Sequence, residues 1–342
     1  MTPEDVRWLD AAARLALPYR GTTAENPTVG ALIVSPDGRL LGRGVTAHGG
    51  RPHAEPQAIA MAGPEARGAT LYVTLEPCAH WGRTPPCADA ITAAGLARVV
   101  LGLVDPDPRT SGESIGRMRQ AGLVVDVAPD HAPSRHLHEG HVSREARGRP
   151  FVTIKLAVSR DGMIGRRDEA KVAISGGTAW RWTHMQRAMS DAVMVGAGTA
   201  RIDRPLLSVR LPGLEDRTPL RVILAGTRPV PEDVIHLGRE TGQQTVVIDG
   251  FDLAAALSAL ADRGVASLLV EAGGVLSDAL LDAGLVDRFH LIESDIEIGA
   301  GGVPATVHPS LPQRLEQLGF VCVAARALGC DRLRTFERPH GI

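Results

Sequence analysis

One histidine, one glutamate and two cysteines in the first third of the chain have the types and spacing of a catalytic metal site. His53 and Glu55 are separated by one residue, and Cys78 and Cys87 lie at the two ends of a loop rich in glycine and proline. One imidazole and two thiolates are a common ligand set for zinc, and they leave the fourth coordination position open to water. Zinc lowers the pKa of such a water to about 7, so the pattern predicts a source of hydroxide at neutral pH.

Glu55 is expected to be the acid and base of this site and not a ligand. It follows His53 by two residues and can move protons between a bound water and a leaving amine. His-x-Glu followed by Pro-Cys is typical of zinc deaminases. His80 is a rival ligand, but a fourth protein ligand would close the site, so we expect it to contact substrate or pack in the loop. Neither short motif is specific on its own. Two of the chain's four cysteines lie at the ends of one loop, however, and this arrangement favours a zinc site.

Two glycine-rich segments in the second half have the form of phosphate-binding turns. Residues 196–199 (Gly-Ala-Gly-Thr) and residues 271–274 (Glu-Ala-Gly-Gly) each follow a predicted strand. At such strand ends a backbone without side chains can approach a phosphate closely. The full G-x-G-x-x-G fingerprint is absent, so a standard Rossmann domain is not predicted. The presence of two such segments favours nucleotide binding over simple turns.

The spacing of apolar residues predicts alternating strands and helices that position these segments. The predicted strands cover residues 29–35, 40–46, 70–75, 98–104, 124–127, 151–158, 192–195, 221–225, 245–248 and 267–271. The predicted helices cover residues 6–17, 53–61, 88–94, 178–189 and 253–261, with one more ending at Gly122. This alternation is typical of an α/β fold, in which ligands bind at the carboxyl ends of parallel strands.

Length and composition indicate a two-domain globular chain. At about 100–200 residues per domain, 342 residues suggest two domains. We expect a deaminase domain over 1–128, a second domain over 149–342 and, between them, a histidine-rich segment over 129–148. This segment is interpreted as a solvated helix and linker in preference to a metal-binding tract. The net charge of −2 argues against an extended nucleic-acid surface. No uncharged run is long enough to cross a membrane and no signal-peptide pattern opens the chain, so a cytoplasmic protein is expected.

The cysteine loop resembles a specific family, the bifunctional riboflavin-biosynthesis deaminase/reductases. Eight residues separate Cys78 from Cys87, where the general deaminase signature P-C-x-x-C has two. Residues 74–87 fit the family's long T-L-E-P-C-x-H-x-G-R-T-P-P-C loop, and residues 26–30, 68–70 and 105–107 are similar to family segments in the same order. The resemblance implies a cytidine-deaminase-like three-layer domain followed by a dihydrofolate-reductase-like α/β domain.

For the first domain the resemblance implies one zinc ion per chain, held by His53, Cys78 and Cys87, with Glu55 as the catalytic acid and base. The reaction would be hydrolytic deamination of 2,5-diamino-6-ribosylamino-4(3H)-pyrimidinone 5′-phosphate. Glu76 is interpreted as a brace of the cysteine loop. Contacts to the substrate are expected from Asn26, His48, His80 and Arg83.

For the second domain the resemblance implies reduction of the ribosyl group to ribityl by NADPH. The stretch from Gly196 to Arg210 is similar to the family's G-A-G-T-x-x-x-D-x-P-x-L-x-V-R. NADPH contacts are expected from Val158, Ala173, Thr199, Asp203, Gly273 and Gly274. Substrate contacts are expected from Lys171, Arg187, Leu207, Arg210 and Glu271, with Lys155 and Asp161 as further candidates.

The chain departs from the family pattern at several positions. Ala173 stands where the family often has tryptophan, and Arg204 where it has aspartate, which would add a positive charge favouring the 2′-phosphate of NADPH. His138 and His141 stand where relatives often have asparagine and phenylalanine.

Two alternatives remain open at this point. One is a zinc deaminase of another base with an inactive or binding-only second domain, and the other is a zinc-stabilised scaffold without activity. Under the main hypothesis the partner is a small phosphorylated pyrimidine, with no nucleic acid or membrane. The resemblance also implies a homo-oligomer.

Overall fold

A computed structural model describes five ranges of the chain, which are residues 1–167, 172–226, 229–239, 242–308 and 310–339. The chain divides between two compact units, Met1–Gly148 and Arg149–Ile342. Within the described ranges no helix is both long and apolar enough to span a membrane.

The first unit contains five strands and five α-helices. Its strands are β1 (Gly30–Val34), β2 (Leu40–Val45), β3 (Thr70–Val73), β4 (Arg98–Leu101) and β5 (Val124–Val127). Its helices are α1 (Pro3–Ala16), α2 (Ala54–Ala62), α3 (Cys87–Ala93), α4 (Glu113–Gln120) and α5 (Ala132–Arg147). The strands form one sheet in the order β2-β1-β3-β4-β5, with β1 antiparallel to both neighbours and β3, β4 and β5 parallel.

The apolar sequence of β1 explains why this sheet has helices on both faces. All five of its residues, Gly-Ala-Leu-Ile-Val, are buried. Because successive side chains of a strand point to opposite faces, Ile33 packs in the core formed with α2, α3 and α4, whereas Leu32 packs against α1. A strand that is apolar on both faces must be covered on both, so the unit has three layers.

The segment 129–148 contains a helix, as predicted, but one face of this helix is buried and not solvated. Most of it forms α5, which belongs to the first unit. His138 Nε2 lies 2.9 Å from Thr74 Oγ1, and His141 Nε2 lies 2.8 Å from Asp105 Oδ1. Both histidines are buried. The apolar pattern did not predict this burial, because most of the buried side chains of α5 are polar and the two histidines are hydrogen-bonded to the segments that follow β3 and β4.

Replacing His138 with glutamine is expected to reduce the acid sensitivity of the first unit. Burial lowers the pKa of His138 to about 3, from 6.5 for the free side chain. The unfolded chain therefore binds a proton that the folded chain excludes. As the pH falls from 6.5 toward 3, this proton lowers the free energy of unfolding by about 1.4 kcal/mol per pH unit.

Chemical denaturation of the wild type and H138Q at several pH values in that window measures the difference in slope. The substitution of exposed His136 by glutamine is the matched control and should keep the wild-type slope. An unchanged slope in H138Q would show that His138 titrates normally in the folded protein.

The second unit contains ten strands and six α-helices in its described part. The strands are β6 (Phe151–Val158), β7 (Met163–Arg166), β8 (Ala192–Gly196), β9 (Leu220–Gly226), β10 (Thr245–Asp249), β11 (Ser267–Val270), β12 (Arg288–Glu293), β13 (Gly302–Pro304), β14 (Val321–Leu328) and β15 (Asp331–Glu337). The helices are α6 (Gly177–Ala188), α7 (Ala197–Asp203), α8 (Glu232–Ile235), α9 (Leu253–Ala261), α10 (Gly274–Asp282) and α11 (Leu311–Gln317).

Eight of these strands form one mostly parallel sheet. The order is β10-β9-β8-β11-β6-β12-β15-β14, and only β15 and β14 run antiparallel to their neighbours. Helices α9, α10 and α11 pack on one face of the sheet, and α6, α7 and α8 pack on the other. The parallel strands β8, β9, β10 and β11 therefore end at a common edge, where ligands bind in folds of this type.

Candidate active sites

Three elements bring the predicted metal ligands of the first unit together. His53 is the residue immediately before α2, Cys87 is the first residue of α3, and Cys78 lies in the loop that follows β3. His53 Nδ1 lies 3.3 Å from Cys87 Sγ and 3.8 Å from Cys78 Sγ. One ligand atom from each residue lies within 4.8 Å of the other two. The separations and the N, S, S donor set fit a tetrahedral zinc ion with one open position.

Glu55 lies in the first turn of α2, beside these donors. Its side chain is 3% exposed, and its Oε2 has no hydrogen-bond partner in the described part of the chain. Burial raises the pKa of the Glu55 carboxyl above its ordinary value. A buried carboxylate oxygen normally has a partner, so this atom is suited to bind a group that occupies the open position. A carboxyl in this position can accept a proton from such a group and release it again, as a catalytic acid and base must.

Without a metal ion, the side chains of Cys78 and Cys87 share one proton. A hydrogen bond from Cys87 lowers the pKa of Cys78 to about 4, and the same contact raises the pKa of Cys87. Cys78 is therefore the thiolate of the pair, and the positive charge that a metal brings would remove the second proton. The ligand set therefore already contains one negatively charged donor, which favours a cation.

Glu76 braces the cysteine loop, as the sequence indicated. Its carboxylate accepts hydrogen bonds from Ser114 Oγ at 2.8 Å and from the backbone N–H groups of Gly112 and Asp105 at 3.1 and 3.3 Å. Two further side chains stabilise the backbone near the metal ligands and were not predicted from the sequence. Arg117 donates to the carbonyl oxygen of Ala79 at 2.8 Å, and Gln57 donates to the carbonyl oxygen of His53 at 2.8 Å. Neither lies in a motif, so only the folded contacts reveal them.

The predicted substrate contacts of the first unit lie around the same loops. Asn26 packs against Gly50, whose φ of +89° permits the turn that leads to His53; a Cβ at Gly50 would lie 2.1 Å from Asn26 Nδ2. His80 Nδ1 lies 3.4 Å from Thr110 Oγ1. His48 and Arg83 are exposed to solvent.

The second unit contains a cavity of about 1330 Å³ where strands β8, β9 and β11 end. This volume exceeds the 300–1,000 Å³ of a typical small-molecule pocket, so it has room for two ligands. The cavity is lined by residues that the sequence predicted as ligand contacts, namely Arg187, Thr199, Asp203, Leu207, Arg210, Glu271, Gly273 and Gly274.

Arg187 and Glu271 form a buried ion pair at one end of this cavity. Arg187 Nε lies 2.5 Å from Glu271 Oε1, and its Nη2 lies 3.0 Å from Oε2. Burial opposes ionisation of Glu271, but the charge and hydrogen bonds of Arg187 hold the pKa of this carboxyl below its ordinary value. The ammonium group of Lys155 interacts with the same carboxylate, and burial lowers the pKa of Lys155. One end of the cavity therefore carries charged side chains, and the ion pair between Arg187 and Glu271 fixes their orientation.

His184 is a residue of this end that sequence analysis missed. It is 1% exposed, and burial lowers its pKa to about 4. Its Nδ1 accepts a hydrogen bond from the backbone N–H of Arg210 at 3.1 Å, which fixes the chain at Arg210. A neutral imidazole that accepts a hydrogen bond here positions an arginine that lines the cavity.

Gly273 and Gly274 present backbone to the middle of the cavity. Gly273 is the residue before α10, and no side chain of the described ranges caps this helix end, so its first N–H groups are available to an anion. At Gly274 a Cβ would lie 2.6 Å from the carbonyl oxygen of Ala305, so a side chain would displace the backbone there. The glycine-rich segment thus has the geometry that the sequence predicted.

Among the described residues, three other predicted positions do not add a side chain to this cavity. Val158 is buried in the apolar core, and Ala173 is exposed. Asp161 accepts hydrogen bonds from Ser159 and from the backbone of Ile298 and Gly299, so it stabilises a turn. Lys171 lies outside the described residues.

Arg204, whose charge the sequence suggested for the 2′-phosphate of NADPH, lines the cavity. Its guanidinium forms an ion pair of 2.5 Å with Asp233. Arg204 and Leu207 both have positive φ, 44° and 57°, and both line the cavity. Positive φ is uncommon for residues other than glycine, and such strain concentrates at binding sites.

The two sites define a two-domain enzyme in which a zinc-dependent hydrolase precedes a domain that binds a nucleotide at the ends of a parallel sheet. Comparison with protein families gives the same division. Residues 3–103 match the family described as the cytidine and deoxycytidylate deaminase zinc-binding region, and residues 150–332 match the RibD C-terminal domain.

Similar proteins cover nearly the whole chain. The riboflavin biosynthesis protein RibD of Synechocystis sp. is 34% identical over 92% of this chain and 91% of that protein. The RibD of Escherichia coli is 33% identical over 96% of this chain and 98% of that protein. The solved structure of Acinetobacter baumannii RibD (form 1) has a TM-score of 0.86 and 30% identity, covering 98% of this chain and 99% of that one.

The chain belongs to the RibD family of bifunctional deaminase/reductases of riboflavin biosynthesis. The predicted fold class is confirmed: a deaminase-like domain precedes a reductase domain with a dihydrofolate-reductase-like fold. The first domain is a zinc-binding deaminase domain and the second is an NADPH-dependent reductase domain, so the predicted cofactors are confirmed as well.

Proposed function

We propose that this chain deaminates 2,5-diamino-6-ribosylamino-4(3H)-pyrimidinone 5′-phosphate and then reduces its ribosyl group to ribityl with NADPH. A solved structure from Thermotoga maritima is titled a diaminohydroxyphosphoribosylaminopyrimidine deaminase/5-amino-6-(5-phosphoribosylamino)uracil reductase; it has a TM-score of 0.84 and 29% identity over 98% of this chain and 99% of that one. The observation that carries the proposal is the buried, unpartnered Oε2 of Glu55 beside a His-Cys-Cys donor set.

In the first reaction, His53, Cys78 and Cys87 would hold the zinc ion, which supplies an activated water when bound. Glu55 accepts a proton from that water at its buried Oε2 and then donates it to the leaving amine. The raised pKa of the Glu55 carboxyl favours this second role. Asn26 and His80 contact the substrate from the loops around the metal ligands.

In the second reaction, NADPH supplies the hydride when bound, and the side chains of the cavity orient the two reactants. Thr199, Asp203 and the backbone of Gly273 and Gly274 bind the cofactor. On the substrate side, the guanidinium of Arg210 suits a sugar phosphate, because its planar fork binds phosphate oxygens bidentately. The Arg187–Glu271 pair and Leu207 complete the substrate end.

The order of the two reactions gives a direct test of this proposal. Chelation of zinc should stop ammonia release and also stop NADPH oxidation when the diaminopyrimidinone is supplied. Supplying the deaminated product should restore NADPH oxidation in the chelated protein. NADPH oxidation that continues with the diaminopyrimidinone after chelation would contradict the proposed order.

We also propose that the chain is cytoplasmic and forms a homo-oligomer. All four cysteines are free, and a reducing compartment keeps the zinc ligands as thiols. The edge strand β14 exposes seven of its eight residues, including Val321 and Val323 at 51% and 54%. An apolar strand edge of this length is a template for pairing with another chain, so a second copy is its expected partner.

Replacing Val323 with lysine is expected to shift the protein toward single chains. A charge on an edge strand opposes strand pairing because it would be desolvated between two sheets. Light scattering coupled to size-exclusion chromatography measures the mass of the assembly. Val307→Lys, at a position 82% exposed in the same unit, is the matched control. If V323K and the wild type have the same mass, β14 is not the interface.

A further inference from the structure

One phenylalanine of the second domain lies exposed at the wall of the cavity. Phe251 is 69% exposed and lines the cavity, close to Gly226 and Leu253. The other four phenylalanines of the chain are buried, at 7%, 0%, 2% and 0% exposure for Phe151, Phe289, Phe320 and Phe336. An aromatic ring that the core does not bury is available to a ligand.

The backbone on both sides of Phe251 is tied to neighbouring elements. Gly250, with a φ of +95°, forms a bridge to Gly226 at the end of β9. On the other side, Asp252 caps α9 by accepting a hydrogen bond from Ala255 at 2.9 Å. Phe251 Cε1 lies 3.3 Å from the place that a Cβ of residue 226 would occupy, so a side chain there would crowd the ring. The ring therefore lies close to the end of β9.

The two ends of the cavity differ in chemistry. Glu271 follows β11 and forms an ion pair with Arg187 of α6, whereas Phe251 follows β10. Strands β10 and β11 are three positions apart in the sheet, which corresponds to about 14 Å at the usual strand spacing. The Arg187 end is charged, and the Phe251 end is formed by Leu224, Gly226 and Leu253. The first turn of α10 follows β11 in the chain, and its backbone N–H groups can bind a phosphate there.

We propose that Phe251 is the stacking platform for the adenine ring of NADPH. The inference rests on the proposed function, because it takes the cofactor as the occupant of the cavity. A dinucleotide has an aromatic base at each end and phosphates between them, and the cavity has a charged end, a phosphate-binding helix start and an aromatic end. The adenine lies at Phe251 because the nicotinamide must lie beside the substrate at the Arg187 end.

Binding of cofactor fragments to the full-length protein tests this assignment. Isothermal titration with adenosine 2′,5′-bisphosphate should show affinity roughly tenfold weaker for Phe251→Ala, the usual effect of removing a stacked aromatic. Phe251→Trp should restore the affinity and add a tryptophan fluorescence signal that the adenosine probe quenches. Reduced nicotinamide mononucleotide should bind the wild type and F251A equally. Ammonia release in the deaminase reaction should not change.

Each other outcome of the titrations overturns a distinct claim. Equal affinity of F251A and the wild type for the adenosine probe, with the wild type binding NADPH, would overturn the role of Phe251 and leave the proposed function intact. A raised KM for the pyrimidine substrate with unchanged NADPH affinity would assign the ring to the substrate instead. If the wild type binds no NADPH, the proposed function itself fails. Val307→Ala, at an exposed position outside the cavity, is the matched control and should behave as the wild type.

Discussion

Replacing Glu55 with glutamine is expected to lower kcat for deamination by about 10²–10⁴-fold, the usual contribution of a positioned acid and base. Glutamine keeps the shape of the side chain but cannot accept the proton of the attacking water. The ligands His53, Cys78 and Cys87 are unchanged, so zinc content should remain that of the wild type. Reduction of the deaminated product should also remain, because Glu55 lies in the other domain.

Ammonia release, metal analysis and NADPH oxidation measure these three quantities on the same preparation. Glu65→Gln, at an exposed position of the same domain, is the matched control. It should have the wild-type deamination rate, zinc content and reduction rate. Deamination by E55Q at the wild-type rate would show that another group moves the proton.

Replacing Glu271 with glutamine is expected to lower kcat/KM for reduction by about 100-fold, the usual effect of misplacing a group that positions the substrate. The carboxylate accepts two hydrogen bonds from Arg187 and also balances the charge of Lys155. An amide can accept only one such hydrogen bond and brings no charge. Two cationic side chains would then lie uncompensated at the substrate end of the cavity.

Steady-state reduction of the deaminated product by E271Q measures this loss, and ammonia release from the first domain reports that the chain is folded. Glu297→Gln, which removes an exposed ion pair with Arg160, is the matched control. Equal losses of both activities would indicate general unfolding, and unchanged reduction would exclude Glu271 from the substrate site.

The residues of both sites could be predicted where chemistry restricts residue type and spacing. A zinc site needs donors of particular types, so His53, Cys78 and Cys87 are recognisable before the fold is known. Strand ends followed by glycine mark phosphate-binding backbone, so Gly273 and Gly274 could be placed on the cavity. The α/β architecture was equally accessible, because β1 and β8 are continuous apolar runs that must be buried on both faces.

Other features depend on contacts that leave no pattern in the sequence. Helix α5 buries His138 and His141 through hydrogen bonds to Thr74 and Asp105, which follow β3 and β4, and a polar segment of this kind has the composition of a solvated helix and linker. His184 positions Arg210 through a single backbone hydrogen bond. Phe251 has the type of a core residue, and only the structure shows that its ring is exposed in the cavity wall. Such residues become visible only when their partners, distant in sequence, are known.

The central claim, that one chain performs both reactions in sequence, is tested most directly by mass spectrometry of a single incubation. The zinc-loaded protein is mixed with the diaminopyrimidinone ribosylamine phosphate and NADPH, and the products are followed in time. We predict a species in which an amine has been replaced by a carbonyl oxygen, followed by a species with two additional hydrogens. A product with two additional hydrogens that retains the amine, or a first product that never gains hydrogen, would contradict the account.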